Sequence, residues 1–532
     1  MGKEAVALKK LQELVVHAQS PTLLLLLCPL VLFLLLVRRR SSREELLLRK
    51  LASPPSRLPI IGHLHLVGRL PHISLRDLAA EHGRDGLLLL RLGAVPTLVV
   101  SSPAAAQAVL RTQDHVFASR AYSPATDILF YGSSDVAFCP YGEHWRQVKK
   151  IATTHLLTNR KVRSYRHARE HEVSSVMAAI RRNAGEPVDL SELLNAFTND
   201  VVCHAVSGKF FREEGRNKIF RELVEANSSL IGGFNIEDHF PALVKLDIVK
   251  KWVCAKAQKV RKGWDDLLDN LIDAHLIHAP QNTSKPAASS DDDSDFIDVL
   301  LSIRQEYNLT RDHIKAQLAI MFEAGTDTSF IVLEYTMVQL MHNPNVMAKL
   351  QAEVRTTIIG KKKKKDDMVT EDDILTSGGL PYMKAVIKET LRLHAPAPLL
   401  VPHLSMADCD IQGYTIPAGT RAIVNGWALA RDPTFWENPE EFMPERFITN
   451  ARAKAMEYNG NDFLYLPFGT GRRICPGINF AISTIEVMLA NLIYHFDWKL
   501  PPGVTTIDMT ESFGVTVHRT EKLLLVPLVP QD

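Results

Sequence analysis

Apolar residues fall into three rhythms along this chain of 532 residues. The first is an unbroken run: residues 21–37, PTLLLLLCPLVLFLLLV, carry no charge. At ~1.5 Å rise per residue a helix of that length spans roughly 25 Å, close to the ~27 Å hydrocarbon core of an endoplasmic reticulum bilayer. The second rhythm is a pair of short apolar runs around Gly93 to Pro96, in LLLLRLGAVPTLVVSS, which predicts a β-hairpin. From there to about residue 395 the third rhythm, helical, dominates. In WDDLLDNLIDAHL, Trp264, Leu267, Leu268, Leu271 and Ile272 recur at i, i+3, i+4, i+7 and i+8. A longer helical pattern opens at Thr310, a suitable N-cap, and runs to Asn343-Pro344. After Pro476, INFAISTIEVMLANLIYHF is helical again. The rest of the C-terminal part is irregular and Pro-rich, with short β-like pieces such as TRAIVNGWAL. There is no internal repeat. The pattern predicts a mainly α domain with a minor β portion, preceded by one transmembrane helix.

Charge sharpens the N-terminal reading. Arg38, Arg39, Arg40 and Arg43 follow the apolar run at once, and no A-x-A-like cleavage site comes after it. This suits an uncleaved anchor better than a signal peptide. The positive-inside rule then places the C-terminal bulk in the cytosol. The expected organisation is a short luminal N-terminus (1–20), a membrane anchor (21–37), a basic, Pro-rich linker (38–57) and one domain (58–532). Pro54, Pro55 and Pro59 stiffen the junction. Sequons at Asn227, Asn282 and Asn308 should carry no glycan, because they never meet the lumen. Polar stretches at 281–295 and 361–367 read as surface loops. Net charge is only +2, which gives no support for nucleic-acid binding. The six cysteines are scattered without a CxxC pair, so zinc-ribbon and disulfide-scaffold readings are weak.

Chemistry concentrates in a few stretches. LPFGTGRRICPG (466–477) lacks the Gly-Lys-Ser/Thr of a phosphate loop. Its glycines 469, 471 and 477 let backbone approach a flat ligand and aim amides at sulfur. Arg473, two residues from Cys475, and the helix start just beyond favour a thiolate. A thiolate so held can ligate haem iron. The alternative is an inert buried cysteine. FEAGTDTS (322–329) lies in the long helix, where Gly325 invites a kink or local unwinding. Ala324 and Gly325 share the face of Thr328, and Thr328 with Asp327 forms an alcohol–acid pair able to move protons. A packing glycine with back-bonded threonines is the competing reading. Glu389 and Arg392 are i, i+3 in IKETLRLHAP, and Arg446 of PERF offers a second fork to the same carboxylate, a structural clamp. YGEHWRQVKK places Trp145 and Lys149 at i, i+4. From His144 to Arg169 there are eight Lys/Arg and no acid. That stretch is either a solvated helix face or a docking face for an acidic electron donor.

In this order, these stretches resemble the cytochrome P-450 family. F-x-x-G-x-R-x-C-x-G is matched by Phe468, Gly471, Arg473, Cys475 and Gly477; AGTDTS, ETLR and PERF match its other motifs. The cysteine loop and the Pro-rich hinge look like the plant microsomal type. LPIIGHLHLVG, HAVSGKF, MFEAGTDTS and DMTESFGVTV are similar to grass enzymes that hydroxylate indole and its oxidised derivatives in benzoxazinoid synthesis. The resemblance implies haem b with Cys475 as iron ligand. Arg473, Trp145, Lys149, His403 and Arg120 would meet its propionates. Thr328 and Asp327 would serve proton delivery, and Phe130, Ala324, Gly325, Leu399 and Phe513 would lie at the substrate pocket. Ala121 and HAPAP depart from the commoner SRP and HPPxP.

The implied function is a haem-thiolate monooxygenase of the endoplasmic reticulum membrane. It would insert one atom of O2 into a small apolar or aromatic substrate, with electrons from NADPH through a reductase. An indole-type heterocycle is the substrate class suggested. Two other readings stand beside it: a P-450-type isomerase or dehydratase that uses no O2, and a non-catalytic haem binder.

Overall fold

The computed structural model describes residues 42–530, apart from 209–214, 233–234, 244–246, 279–293, 360–366 and 377. The apolar run 21–37 and the sequon at Asn282 therefore lie outside the described residues. What is described is mainly helical, with four small sheets.

The hairpin forms where the sequence places it. Strands Leu87–Leu92 and Val95–Val100 pair antiparallel across Gly93-Ala94. Strand Arg421–Val424, from TRAIVNGWAL, adds in parallel to the second of these, and His403–Leu404 closes a four-stranded sheet. Both faces of Leu87–Leu92 are buried, which explains its continuous leucines.

The Pro-rich junction is not a free spacer. Helix Ser42–Leu48 precedes it, and Leu48 and Leu51 are buried against the strand residues Leu87, Leu89 and Leu98. Glu45 pairs with the buried Arg91, and Gly62 bridges to Leu92. The packed domain thus begins well before residue 58, because leucines 48 and 51 complete the sheet's apolar face.

The long central helix runs Arg311–His342, with the Thr310 side chain accepting from His313 N–H as an N-cap. It continues through Gly325 without the unwinding expected there. Helix Leu190–Ser207 lies along it, and helices Pro381–Leu393 and Ile478–His495 pack on it as well. Trp264, Leu267, Leu268, Leu271 and Ile272 of helix Asp247–His278 are all buried in the large helical core. Helix Ile478–His495 is apolar and long enough to cross a membrane by composition, but most of it is buried inside the fold. It is the core helix that carries the cysteine loop at its start.

Candidate active site

The cysteine loop is held by its own backbone. Cys475 N–H donates to the Phe468 carbonyl (3.0 Å), and Gly477 N–H donates to Cys475 Sγ (3.3 Å). Gly477 is the N-cap of Ile478–His495, so the sulfur sits at that helix's start. Burial pushes the thiol up, while the Gly477 amide and the Lys149 ammonium pull it down. The charge acting on the sulfur is therefore Lys149, not Arg473 as the sequence suggested. Lys149 Nζ lies 2.6 Å from the Ile474 carbonyl.

The glycines divide the work. Gly469 and Gly471 have φ of +67° and +66°. A Cβ on Gly471 would stand 2.6 Å from the Leu110 carbonyl oxygen, so this glycine serves close protein packing rather than a ligand. A Cβ on Gly469 would meet nothing, and Gly469 and Gly477 both line a cavity. Arg472 is paired with Asp114 (2.6 Å), which gives it a role in pinning the loop.

That cavity, about 280 Å³ in volume, collects most of the expected residues. Cys475, Phe468 and Arg473 line it on one side, with Arg120, Trp145, Lys149 and His403 around them. Arg473 donates to the carbonyls of Ala118 (2.7 Å) and Cys139 (2.6 Å) and stacks on Trp145 at 4.3 Å. Arg120 donates to the carbonyls of Val401 (2.6 Å) and Pro402 (3.0 Å). The indole N–H of Trp145 donates to the Val136 carbonyl (3.1 Å), and His403 Nδ1 lies 2.7 Å from the Phe117 carbonyl. None of the three cations is ion-paired among the described residues. Burial, aided by the Arg473 charge, lowers Arg120, and burial pushes Lys149 down to about 8. His403 is pushed down to about 3 by burial and by the Arg120 charge, so it is neutral. One buried and two half-buried cations lining one cavity favour an anionic ligand there.

Across the cavity stands the central helix. Met321, Ala324, Gly325, Thr328, Ser329 and Val332 line it, the i, i+3, i+4, i+7 face. Thr328 Oγ1 donates to the Ala324 carbonyl (2.7 Å). Asp327 does not line the cavity. It turns toward the C-terminal hairpin, where Thr516 Oγ1 donates to its Oδ2. The alcohol–acid pair expected from sequence is thus split between two faces, because adjacent helical residues point about 100° apart.

Phe130, Leu399 and Phe513 also lie off the cavity. Phe130 is fully buried and stacks on Phe138 at 5.3 Å. Leu399 belongs to a separate apolar cluster with Leu75, Leu88 and Leu90, against which Phe513 packs. Their neighbour Leu400, at φ +52°, is the residue that faces in. Sequence reasoning missed Ile320, Met321, Val332, Val401 and Val202. The first three follow from helical spacing around Ala324. Val202 has no sequence signal: it reaches the cavity from helix Leu190–Ser207 because Gly325 has no side chain, and a Cβ there would stand 2.8 Å from it.

Away from the cavity, Glu389 is completely buried. It accepts from Arg392 Nε (2.8 Å) and Nη2 (2.9 Å), from Arg446 Nε (2.9 Å) and from Met443 N–H (2.8 Å). The clamp ties helix Pro381–Leu393 to the segment leading into the cysteine loop.

The donor set fits haem on these observations: the Cys475 sulfur at one wall, Gly469 leaving open room beside it, and cations that have no ion pair among the described residues and suit carboxylates. The opposite wall is apolar apart from the hydroxyls of Thr328 and Ser329.

Comparison with known proteins agrees. The family profile described as "Cytochrome P450" matches residues 52–526. The indole-2-monooxygenase of Zea mays is 55% identical over 481 residues, covering 90% of this chain and 87% of that protein. The indolin-2-one monooxygenase of Zea mays is likewise 55% identical, covering 90% and 88%. The 3-hydroxyindolin-2-one monooxygenase of the same plant is 51% identical over 487 residues, covering 90% and 88%. A zebra fish cytochrome P450 solved with progesterone superposes with a TM-score of 0.71 at 23% identity, covering 86% of this chain and 99% of that one. This last likeness speaks for the fold alone.

Proposed function

The chain belongs to the cytochrome P450 family, and on that premise we propose that it is a membrane-anchored monooxygenase acting on a small indole-type heterocycle, with electrons from NADPH through a reductase. Cys475 Sγ would ligate the iron of haem b. Arg120, Trp145, Lys149, His403 and Arg473 would receive its propionates, and Phe468 would pack beside the sulfur. Haem held there supplies the activation of O2. The chain's own residues do the rest. The wall formed by Ile320, Met321, Ala324, Val332, Leu400 and Val401 excludes water and favours an uncharged, apolar substrate. Thr328 Oγ1, facing the cavity, passes a proton inward, and Asp327 supplies it. The exposed Arg146, Lys150, Arg160 and Arg163 suit an acidic reductase surface. The relatives' action on indole and indolin-2-one supports the substrate class. Anchoring through 21–37 in the endoplasmic reticulum membrane, with the domain in the cytosol, completes the reading.

The observation that carries it is one cavity lined by both Cys475 and the Ala324–Thr328 turn. The cavity-facing hydroxyl of Thr328 favours a monooxygenase over an isomerase or dehydratase that needs no proton delivery to oxygen. The test is turnover of indole and indolin-2-one with reductase, NADPH and isotopically heavy O2. One heavy oxygen in the product is expected. Conversion without heavy oxygen would mean chemistry that bypasses O2.

A further inference from the structure

Asp327 lies on the wrong side of its helix to deliver a proton directly. What surrounds it is a buried polar seam between three elements. On the central helix, Glu323 precedes it by one turn; Glu323 is buried and Asp327 half-buried. Helix Arg216–Gly232 contributes Ser228, whose Oγ donates to Glu323 Oε1 (2.5 Å), and the exposed Glu225, which acts on Asp327 electrostatically. The C-terminal hairpin, Glu511–Phe513 with Val517–Arg519, contributes Thr516 and His518. His518, two residues beyond Thr516 on the strand Val517–Arg519, acts on Asp327 through its charge. Thr516 is buried while His518 is partly exposed. Glu334, further along the same helix, is occupied by Ser191 and Arg519.

We propose that Thr516 and His518 form the proton uptake route to Asp327, linking solvent at the hairpin to the cavity-facing Thr328. This rests on the monooxygenase reading. The transfer balances simply. Thr516 Oγ1 takes a proton from His518, directly or through water, as its own hydroxyl proton passes to Asp327 Oδ2. Asp327 then turns toward Thr328 and gives that proton inward, and His518 reprotonates from solvent. Thr516 is a positioning residue as well: its hydrogen bond holds Asp327 on the outer side between deliveries. Burial raises Asp327 above the usual carboxylate range, in keeping with a group that accepts a proton and releases it again. Glu323, pushed up to about 8 chiefly by burial, stays neutral and does not compete as a charge.

The test uses the full chain with reductase, NADPH and indole. Thr516→Val removes the hydroxyl at nearly constant volume and should divert several-fold more NADPH to peroxide. Thr516→Ser should restore coupling, and His518→Gln should reproduce the defect. In an Asp327→Asn background, Thr516→Val should add nothing. Unchanged coupling in Thr516→Val, or a defect additive with Asp327→Asn, overturns the route while leaving the monooxygenase reading intact. Absence of oxygen-dependent turnover by the wild type with indole and indolin-2-one overturns both. Infrared difference spectra give a readout independent of turnover. The carboxyl band lost in Asp327→Asn should shift in Thr516→Val, and an unmoved band contradicts the hydrogen bond on which the route depends.

Discussion

Thr328 and Asp327 are neighbours in sequence, but their side chains face different ways: Thr328 into the cavity, Asp327 toward Thr516. The residue scale is where sequence reading was both strongest and most limited. Cys475, Arg473, Lys149, Trp145, Arg120 and His403 converge on one cavity from four separate stretches. Cys475, Arg473, Trp145 and Lys149 were legible because their stretches carry residue type and spacing; Arg120 and His403 came only with the family resemblance. Side-chain direction was not legible, since it is set by one 100° step on a helix or one flip in a loop. That step removed Asp327 from the cavity and exchanged Leu399 for Leu400. Thr328→Ala is expected to leave haem binding intact while lowering product formed per NADPH, read as peroxide released; unchanged coupling removes Thr328 from proton transfer. Arg472→Ala acts differently. It breaks an exposed pair with Asp114, worth at most about 1 kcal/mol. A small fall in unfolding midpoint with unchanged substrate affinity is expected.

At the scale of elements, hydrophobic period and caps gave the hairpin, the central helix and the cysteine-loop helix nearly to the residue, because these signals are local. The Pro-rich junction was misjudged as a spacer. Proline reports backbone stiffness but not whether neighbouring leucines find a surface to cover. Two inter-element ties yield predictions. Glu389→Ala would leave two buried guanidiniums without their carboxylate, a loss on the order of 3–5 kcal/mol. The expected outcome is a markedly lower unfolding midpoint and poor haem retention; a wild-type melting curve would contradict the clamp. His275 joins helix Asp247–His278 to Asp295, the N-cap of helix Phe296–Ser302. Its Nδ1 faces the Leu271 carbonyl (2.7 Å) and its Nε2 faces Asp295 Oδ2 (2.9 Å). Both nitrogens meet acceptors, an arrangement that favours the imidazolium. Burial opposes that charge, but the Asp295 hydrogen bond and charge prevail and raise the His275 pKa. The stability it contributes is complete below the unfolded pKa of about 6.5 and is lost as pH rises through the raised folded value. The unfolding midpoint of wild type relative to His275→Gln should therefore fall as pH rises through that window, and a pH-independent difference would contradict it.

For the whole molecule, the balanced charge and scattered cysteines did little more than exclude other classes; the order of motifs carried the fold. Burial adds to the glycan expectation. Asn227 is completely buried and accepts from Trp264 Nε1 (3.2 Å), so a glycan there is incompatible with the fold whatever the topology. Mass spectrometry of protein from a eukaryotic microsome should find Asn227 unmodified. The account as a whole stands on Cys475 as the ligand of a haem at this cavity. The most direct measurement is the absorption spectrum of the reduced, CO-bound protein, wild type beside Cys475→Ser. The account predicts the red-shifted Soret band of thiolate ligation in the wild type and its loss in Cys475→Ser. A spectrum typical of histidine ligation in the wild type, or the thiolate-type band persisting in Cys475→Ser, would contradict it.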